Sequence, residues 1–375
     1  MKTAAERELD IRKATRNGGI EMNLAQSTWN ATHMARHANP ILKYDGIERK
    51  ELYVDITSLE YTDFAEGSSD EIIVELGDQK KTFWGGFFPE KGKDLDMSID
   101  YYNWFQPETK ATYHCGNFTV DDITLSGGPR VLTMKGVSQP ANSEFKDTRR
   151  TKTWKETTLK TIVMEMMTAY GMTNLYFYGD DPAVKEHEQK EQDDAGFLNE
   201  LCEKYGFCLK IYKVGFVIYK KSIYESRPPV KTYQGDTEWE SGWKWNTTLA
   251  GTYTGARISY TNPNKPARRK KGEAPVPDIE VLVGTEGRIL ELNETADTEA
   301  EAIEIARAKV NKENEKIETL SFTTKFDPLL VASANIEVTG IPRVEGKYFL
   351  DQIRVSMTGS GLKMRVSAYK IVQRL

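Results

Sequence analysis

The sequence predicts a mainly β, α+β protein in which two β-rich regions flank a small α/β unit. Three observations predict it. Apolar residues alternate with polar ones from about residue 40 to 137 and again through the last third, the period of a half-buried strand. Between these regions the period lengthens to i, i+3, i+4, i+7, the stripe of a helix. With 375 residues, 39% hydrophobic and 29% charged, the chain can bury roughly three quarters of its unfolded surface and should form about two or three globular units.

Residues 1–33 read as an extension. Ala4, Ala5 and Leu9 make a short stripe, Asn17-Gly18-Gly19 breaks any helix, and Trp29 is the one large aromatic. Residues 34–145 read as a first β-barrel, open to strands from later in the chain. There Ile72, Val74 and Leu76 alternate up to a turn at Gly77-Asp78, and Leu95, Met97, Ile99 and Tyr101 alternate with Asp96, Ser98 and Asp100. Phe118, Val120, Leu132 and Met134 fall in further short strands, punctuated by Gly116, Gly127-Gly128 and Gly136.

Residues 146–225 read as the α/β insert. Leu159, Ile162, Val163 and Met166 place one apolar stripe on a helix expected from near Trp154 to Gly171. Asp180-Asp181-Pro182 is a turn signature, and the acidic stretch Glu186 to Asp194 reads as a solvated approach to a second helix. That helix carries Phe197, Leu198, Leu201 and Cys202 and stops at Gly206. Phe207 to Ile211 and Phe216 to Tyr219 then flank Val214-Gly215 as a hairpin.

Residues 226–375 read as a second β-barrel. Thr298-x-x-Glu301 is a capping box that opens a helix at about 298–316, followed by Ile303, Ala306 and Val310. Leu320/Phe322/Thr324, Ile336/Val338, Ile353/Val355/Met357 and Leu362/Met364/Val366 follow as strands. The stretch 261–277 holds four prolines and the basic run Arg268 to Lys271. It reads as a solvated loop, with an acidic protein surface or nucleic acid as the other reading.

Chemistry is excluded more readily than assigned. The formal charge of -5 gives no global attraction for nucleic acid or an anionic membrane. No window approaches the roughly 18–20 apolar residues of a bilayer span, and the first 17 residues lack a signal's apolar centre, so a soluble chain made in a cytoplasm is expected. Cys115, Cys202 and Cys208 form no Cys-x-x-Cys pair and read as free buried thiols. His33 and His37 have the four-residue spacing of a metal helix, but Met34 stands where Glu belongs. His114 and Cys115 would point to opposite faces of a strand, which prevents a nucleophile-base dyad. Asp121-Asp122 and Asp180-Asp181 are neighbours that a strand splays or a turn solvates, unlike the carboxyls that flank a sugar. No catalytic residue, cofactor or metal is expected. Trp239, Trp243 and Trp245 carry more aromatic area than a surface strand normally exposes, which suits core packing or an intersubunit contact.

The order of several motifs is similar to that of the late control D family of phage tail proteins. These are Tyr61-Thr62-Asp63, Gly67-Ser68-Ser69-Asp70, Leu76-Gly77-Asp78, Trp84, Lys91-Gly92-Lys93, Cys115-Gly116-Asn117-Phe118-x-x-Asp121 and Gly128-Pro129. Arg149 to Trp154 and Gly340-Ile341-Pro342-x-x-x-Gly346 to Asp351 continue the series, which covers about 40–375. The family includes the hub proteins of contractile tails and of related bacteriocin and injection particles, and is similar to the T-even phage hub. The resemblance implies a non-enzymatic baseplate hub with two barrels like the tube protein's. Three copies would form a ring joining a six-fold tail tube to a three-fold spike, in a phage tail or tail-like particle assembled in the bacterial cytoplasm. Implied partners are the tube protein, the spike, other baseplate proteins and, as a further candidate, the tape measure protein. Because Leu375 follows the last strand, the spike is expected to be a separate chain. The extension is expected to dock on a neighbouring subunit or baseplate chain through Leu9 and Trp29. The alternative is a sugar-binding or sugar-processing β protein of the tail tip.

Overall fold

Alternation in the first third becomes strands, most regularly in Glu71–Gly77, Asp94–Tyr102 and Val131–Val137, where alternate side chains are buried. They are β1 (His37–Tyr44), β2 (Ile47–Glu48), β3 (Ile56–Phe64), β4 (Glu71–Gly77), β5 (Asp94–Tyr102), β6 (Lys110–Ser126) and β7 (Val131–Val137). The computed structural model describes residues 35–81, 83, 87–139, 145, 148–240, 242–260, 277–296, 298–372 and 374–375. Leu9, Trp29, His33, Trp84 and the basic run Arg268 to Lys271 lie outside the described residues.

Two glycines expected to punctuate strands instead lie inside them. Gly116 sits in β6, where the register to β5 shifts, and its φ of 131° suits a residue without a Cβ. Gly136 sits in β7, and a Cβ there would lie 2.9 Å from both Ile72 Cγ2 and Phe118 Cβ. It is the contact between packed neighbours that requires glycine.

The insert begins with a strand where the sequence suggested a helix. β8 (Arg149–Thr158) carries Trp154, and α1 (Leu159–Ala169) starts only after it, capped by the Thr158 side chain, which accepts from the Thr161 N–H. β9 (Asn174–Tyr178) follows. The acidic approach to the second helix is also a strand, β10 (Ala183–Asp193), paired antiparallel with β8. Lys155 facing Glu186 supplies the cross-strand pairing that the acidic run alone conceals. α2 (Asp194–Lys204) is capped by Asp193, and β11 (Phe207–Tyr212) and β12 (Gly215–Lys220) form the expected hairpin, with β9 parallel to β12. α3 (Lys221–Ser226) closes the unit. Leu159, Ile162, Val163, Phe197, Leu201 and Phe216 meet in a core of its own.

The last third contributes β13 (Lys231–Gln234), β14 (Lys244–Thr247), β15 (Gly255–Tyr260), β16 (Ile279–Gly284), β17 (Ile289–Leu292), α4 (Glu299–Asn314), β18 (Glu318–Lys325), β19 (Asn335–Thr339), β20 (Gly346–Thr358) and β21 (Gly361–Lys370). Thr298 caps α4 by accepting from the Glu301 N–H, the bond its sequence signature called for. α4 packs on the small sheet of β15, β16 and β17, around Ile258, Ile305, Ala306 and Val310. The sequence did not signal this separate core.

The other strands join across the chain. One 13-stranded sheet runs β14-β18-β21-β20-β3-β4-β7-β6-β5-β1-β2, with β13 and β19 attached through β20. The junction is β20 against β3, in register from Gln352↔Phe64 to Thr358↔Ser58. One apolar core spans it, from Leu59, Tyr61 and Val74 to Phe322, Ile353 and Val366. Trp104 ties the same two regions, its Nε1 donating to the Phe326 carbonyl at 2.6 Å with the rings edge to face at 5.5 Å.

Candidate functional site

The most distinctive side-chain chemistry lies where the insert meets the sheet. Asp63, late in β3, and Asp70, just before β4, both face Lys210 of β11, and all three are buried. Lys210 pairs with Asp63 and lies 3.2 Å from Asp70 Oδ1. Backbone and hydroxyl donors complete both carboxylates. Asp63 Oδ2 accepts from the Ala332 N–H at 3.0 Å, Asp70 Oδ1 from the Phe64 N–H at 3.0 Å, and Asp70 Oδ2 from the Tyr61 hydroxyl at 3.3 Å. Two carboxylates share one ammonium, an excess of negative charge in a dry place. Burial, opposed by Lys210 and reinforced by Asp63, pushes the Asp70 carboxyl up to about 6. Burial alone would lower Lys210, yet Asp63 and Asp70 together hold it above its ordinary range.

A second ionic cluster joins four elements. Lys221, at the start of α3, lies 2.5 Å from Glu66 Oε1 and 2.8 Å from Glu315 Oε1. Lys312 of α4 also reaches Glu66 at 2.5 Å. Burial would raise the Glu66 carboxyl, but Lys221 and Lys312 hold it down at about 2. Glu225, at the other end of α3, accepts from Arg374 Nη2 at 2.6 Å and from the Tyr369 hydroxyl at 2.9 Å. The loop after β3, the insert, α4 and the chain's last residues are thus fastened at one place. Hydrogen-bonded charges of this kind fix a geometry more than they add stability. Asp63 and Asp70 stand in the motif series noted above, but nothing local in the sequence points to Lys210 as their partner, to Lys221 as that of Glu66 and Glu315, or to Arg374 as that of Glu225.

The three tryptophans differ in burial. Trp239 is buried, stacked on Phe322 at 4.5 Å and edge-on to Tyr233 at 5.7 Å. Trp243 packs edge-on to Trp239 at 5.6 Å and donates to Asp236 Oδ2 at 2.9 Å. Trp245 lies on β14 at the end of the large sheet; it and Trp243 are only partly buried. The structure brings none of the expected acid pairs together as catalysts: Asp121 and Asp122 are exposed on β6, and Asp180 and Asp181 lie between β9 and β10.

His114 and Cys115 point to opposite faces, His114 outward and Cys115 into the core. His114 instead meets Ser98 across the β5–β6 ladder, Oγ to Nδ1 at 3.1 Å, a partner its strand register supplies. Ile41, Lys43, Glu48, Asp96, Ser98 and His114 line an open groove of about 580 Å³ on the outer face of β1, β5 and β6. Water reaches this pair freely, so it gains none of the activation that an enclosed site provides. Among the described residues no three His, Cys, Asp or Glu side chains are gathered as a metal ion needs, and no helix is long and apolar enough to cross a membrane.

No family model matches the chain. A 43 kDa tail protein of prophage MuSo2 from Shewanella oneidensis superposes with a TM-score of 0.65 at 14% identity, over 89% of this chain and 98% of that one. The fold is that of phage tail proteins. A component of the E. coli type VI secretion system, described as similar to the T4 tail proteins gp27 and gp5, has a TM-score of 0.52 at 14% identity, over 89% of this chain and 77% of that one. In sequence, the chain is 24% identical to a protein of Escherichia phage 186 named "Probable baseplate hub protein", over 82% of this chain and 86% of that protein.

Proposed function

We propose that this protein is a structural baseplate hub of a contractile phage tail or phage-tail-like particle. The observation that carries this reading is the sequence match to the phage 186 protein, because at 82% of the chain it takes in both β regions and the insert. A likeness confined to one barrel would fit a tube protein as well. In this reading the two halves of the 13-stranded sheet are two tube-like modules. Three copies present six modules to a six-fold tube, and the opposite face meets a three-fold spike. Other baseplate proteins and the tape measure protein are further candidate neighbours, and the particle assembles in the bacterial cytoplasm. The protein's role is mechanical, without catalysis, and the buried ionic junction suits it by holding the insert and α4 at a fixed angle to the sheet. Trp243 and Trp245, half-covered at the end of the sheet, are the proposed aromatic contacts.

Native mass spectrometry of the purified protein, with symmetry analysis of particles containing it, tests this reading. Three copies per ring are expected. A monomer within the particle, six copies per ring, or turnover of peptidoglycan that a single Asp or Glu substitution abolishes would overturn it.

A further inference from the structure

One apolar face runs through eight consecutive strands of the large sheet, β14-β18-β21-β20-β3-β4-β7-β6. At one end Trp245 lies opposite Leu320, and Leu320 opposite Ala368. At the other end Ile123 lies opposite Met134, Met134 opposite Val74, and Leu125 opposite Leu132. The inner members of these rows are buried, but the end members are not: Leu125 is 39% exposed, and Ile123, Trp243 and Trp245 are half-buried. Both end strands also have an unpaired edge. β5 pairs with β6 only as far as Thr119, and Lys93 and Gly92 hold Val120 just beyond it. Among the described residues no strand pairs with Asp121–Ser126 on the side away from β7, or with β14 on the side away from β18. An apolar row ending at an open edge is a template for an added strand.

We propose that Trp243–Thr247 of a second copy of this chain pairs antiparallel with Asp121–Leu125, so that the sheet runs on from one copy into the next. The proposal rests on the hub reading only in that copies follow one another by rotation round a ring. Strand direction argues for this occupant. Every neighbouring pair from β14 to β6 is antiparallel, and eight is an even number, so rotation brings β14 of one copy antiparallel to β6 of the next. The two faces also match. With Ile123 opposite Trp245 and Leu125 opposite Trp243, the half-buried side chains at the two ends cover each other. Thr124 then meets Lys244 on the outer face, where Lys244 stands diagonal to Asp122, all three exposed. A slip of one residue would turn both tryptophans outward, beside Asp122. Length agrees as well, because this register sets Thr247, the last residue of β14, opposite Asp121, next to the point where Gly92 and Lys93 take over that side of β6. Within one copy six strands, about 34 Å of sheet, separate the two edges, so the partner is a second copy.

Cysteine pairing on the outer face tests the contact without disturbing the core, because Thr124 and Lys244 are exposed and native Cys115, Cys202 and Cys208 are all buried. Thr124→Cys and Lys244→Cys variants of the full chain, differently tagged and co-expressed, should give on mild oxidation a disulfide-linked dimer that carries both tags and is absent from either variant alone. Adding Leu125→Asp to the first variant should lower that product several-fold while leaving the melting temperature of its monomer nearly unchanged. Failure to form the mixed dimer, or a yield that Leu125→Asp does not reduce, would overturn the proposal. If the unsubstituted protein still forms a three-copy ring when the cross-link fails, the hub reading stands and only this pairing is wrong. If the cross-link forms in an assembly of some other copy number, the pairing stands and the three-copy ring does not.

Discussion

The ammonium group of Lys210 on β11 closes on the carboxylate of Asp63 on β3, 147 residues earlier in the chain. Around that pair, a hydrogen bond from Ala332 brings in the last third, so one buried charge touches all three regions. An apolar contact would let the insert slide; a charge with its hydrogen bonds in place does not.

Replacing Lys210 with Met should therefore be costly, since it leaves two buried carboxylates without their counter-charge. A loss of about 3–5 kcal/mol in urea unfolding is expected. Adding Asp63→Asn and Asp70→Asn should recover much of it. If the single substitution is neutral, the cluster is not buried as described.

The same cluster gives a pH dependence of unusual sign. The folded Asp70 carboxyl, at about 6, lies above its ordinary 3.8, so the folded state binds the proton more tightly. Its contribution should grow as pH falls from above 6 towards 4. Glu66, at about 2 against an ordinary 4.5, works the other way: its contribution is present above 4.5 and is lost as pH falls through about 2. Thermal melts across this range should show the Asp70 rise vanish in Asp70→Asn and the acid loss shrink in Glu66→Gln.

In the insert, Leu159→Asp would place an unpaired charge among Ile162, Val163 and Met166, all buried in one core. A cost of several kcal/mol is expected, seen as aggregation or a lowered melting temperature. Normal assembly with unchanged melting would mean that α1 does not pack as described.

Gly136→Val should destabilise by about 1–3 kcal/mol, because its Cβ would meet Ile72 and Phe118 at 2.9 Å. Chemical denaturation reads the difference directly.

Deleting residues 1–33 should leave the isolated protein's melting temperature nearly unchanged while weakening its incorporation into particles. A large fall in monomer stability with normal incorporation would show that the extension packs on its own barrel instead.

Caps and strongly alternating strands are legible within a few residues, whereas charged strands and the exact pairing of distant segments are not. Thr298 and Glu301 define a cap within four residues, and Ile353, Val355, Met364 and Val366 show their strands by period alone. β8 and β10 stayed hidden because their faces are largely charged and each carries a residue with positive φ, Glu156 and Glu191, which breaks the alternation. The pairing of β20 with β3, and of Lys210 with Asp63 and Asp70, follows from tertiary placement, which no window of neighbouring residues encodes. Trp239 and its two neighbours were legible as a cluster but not as one buried ring with two on its rim.

The β20–β3 seam also governs the order of events during synthesis. One edge of β3 waits for a partner made almost 300 residues later, after Gly346–Thr358 has left the ribosome. The insert holds its own core within 145–218 and can fold while that partner is still being translated. The large sheet, dominated by distant pairings, must close late and slowly. A ribosome stalled before residue 346 should display a protease-resistant insert beside a first third still open along β3.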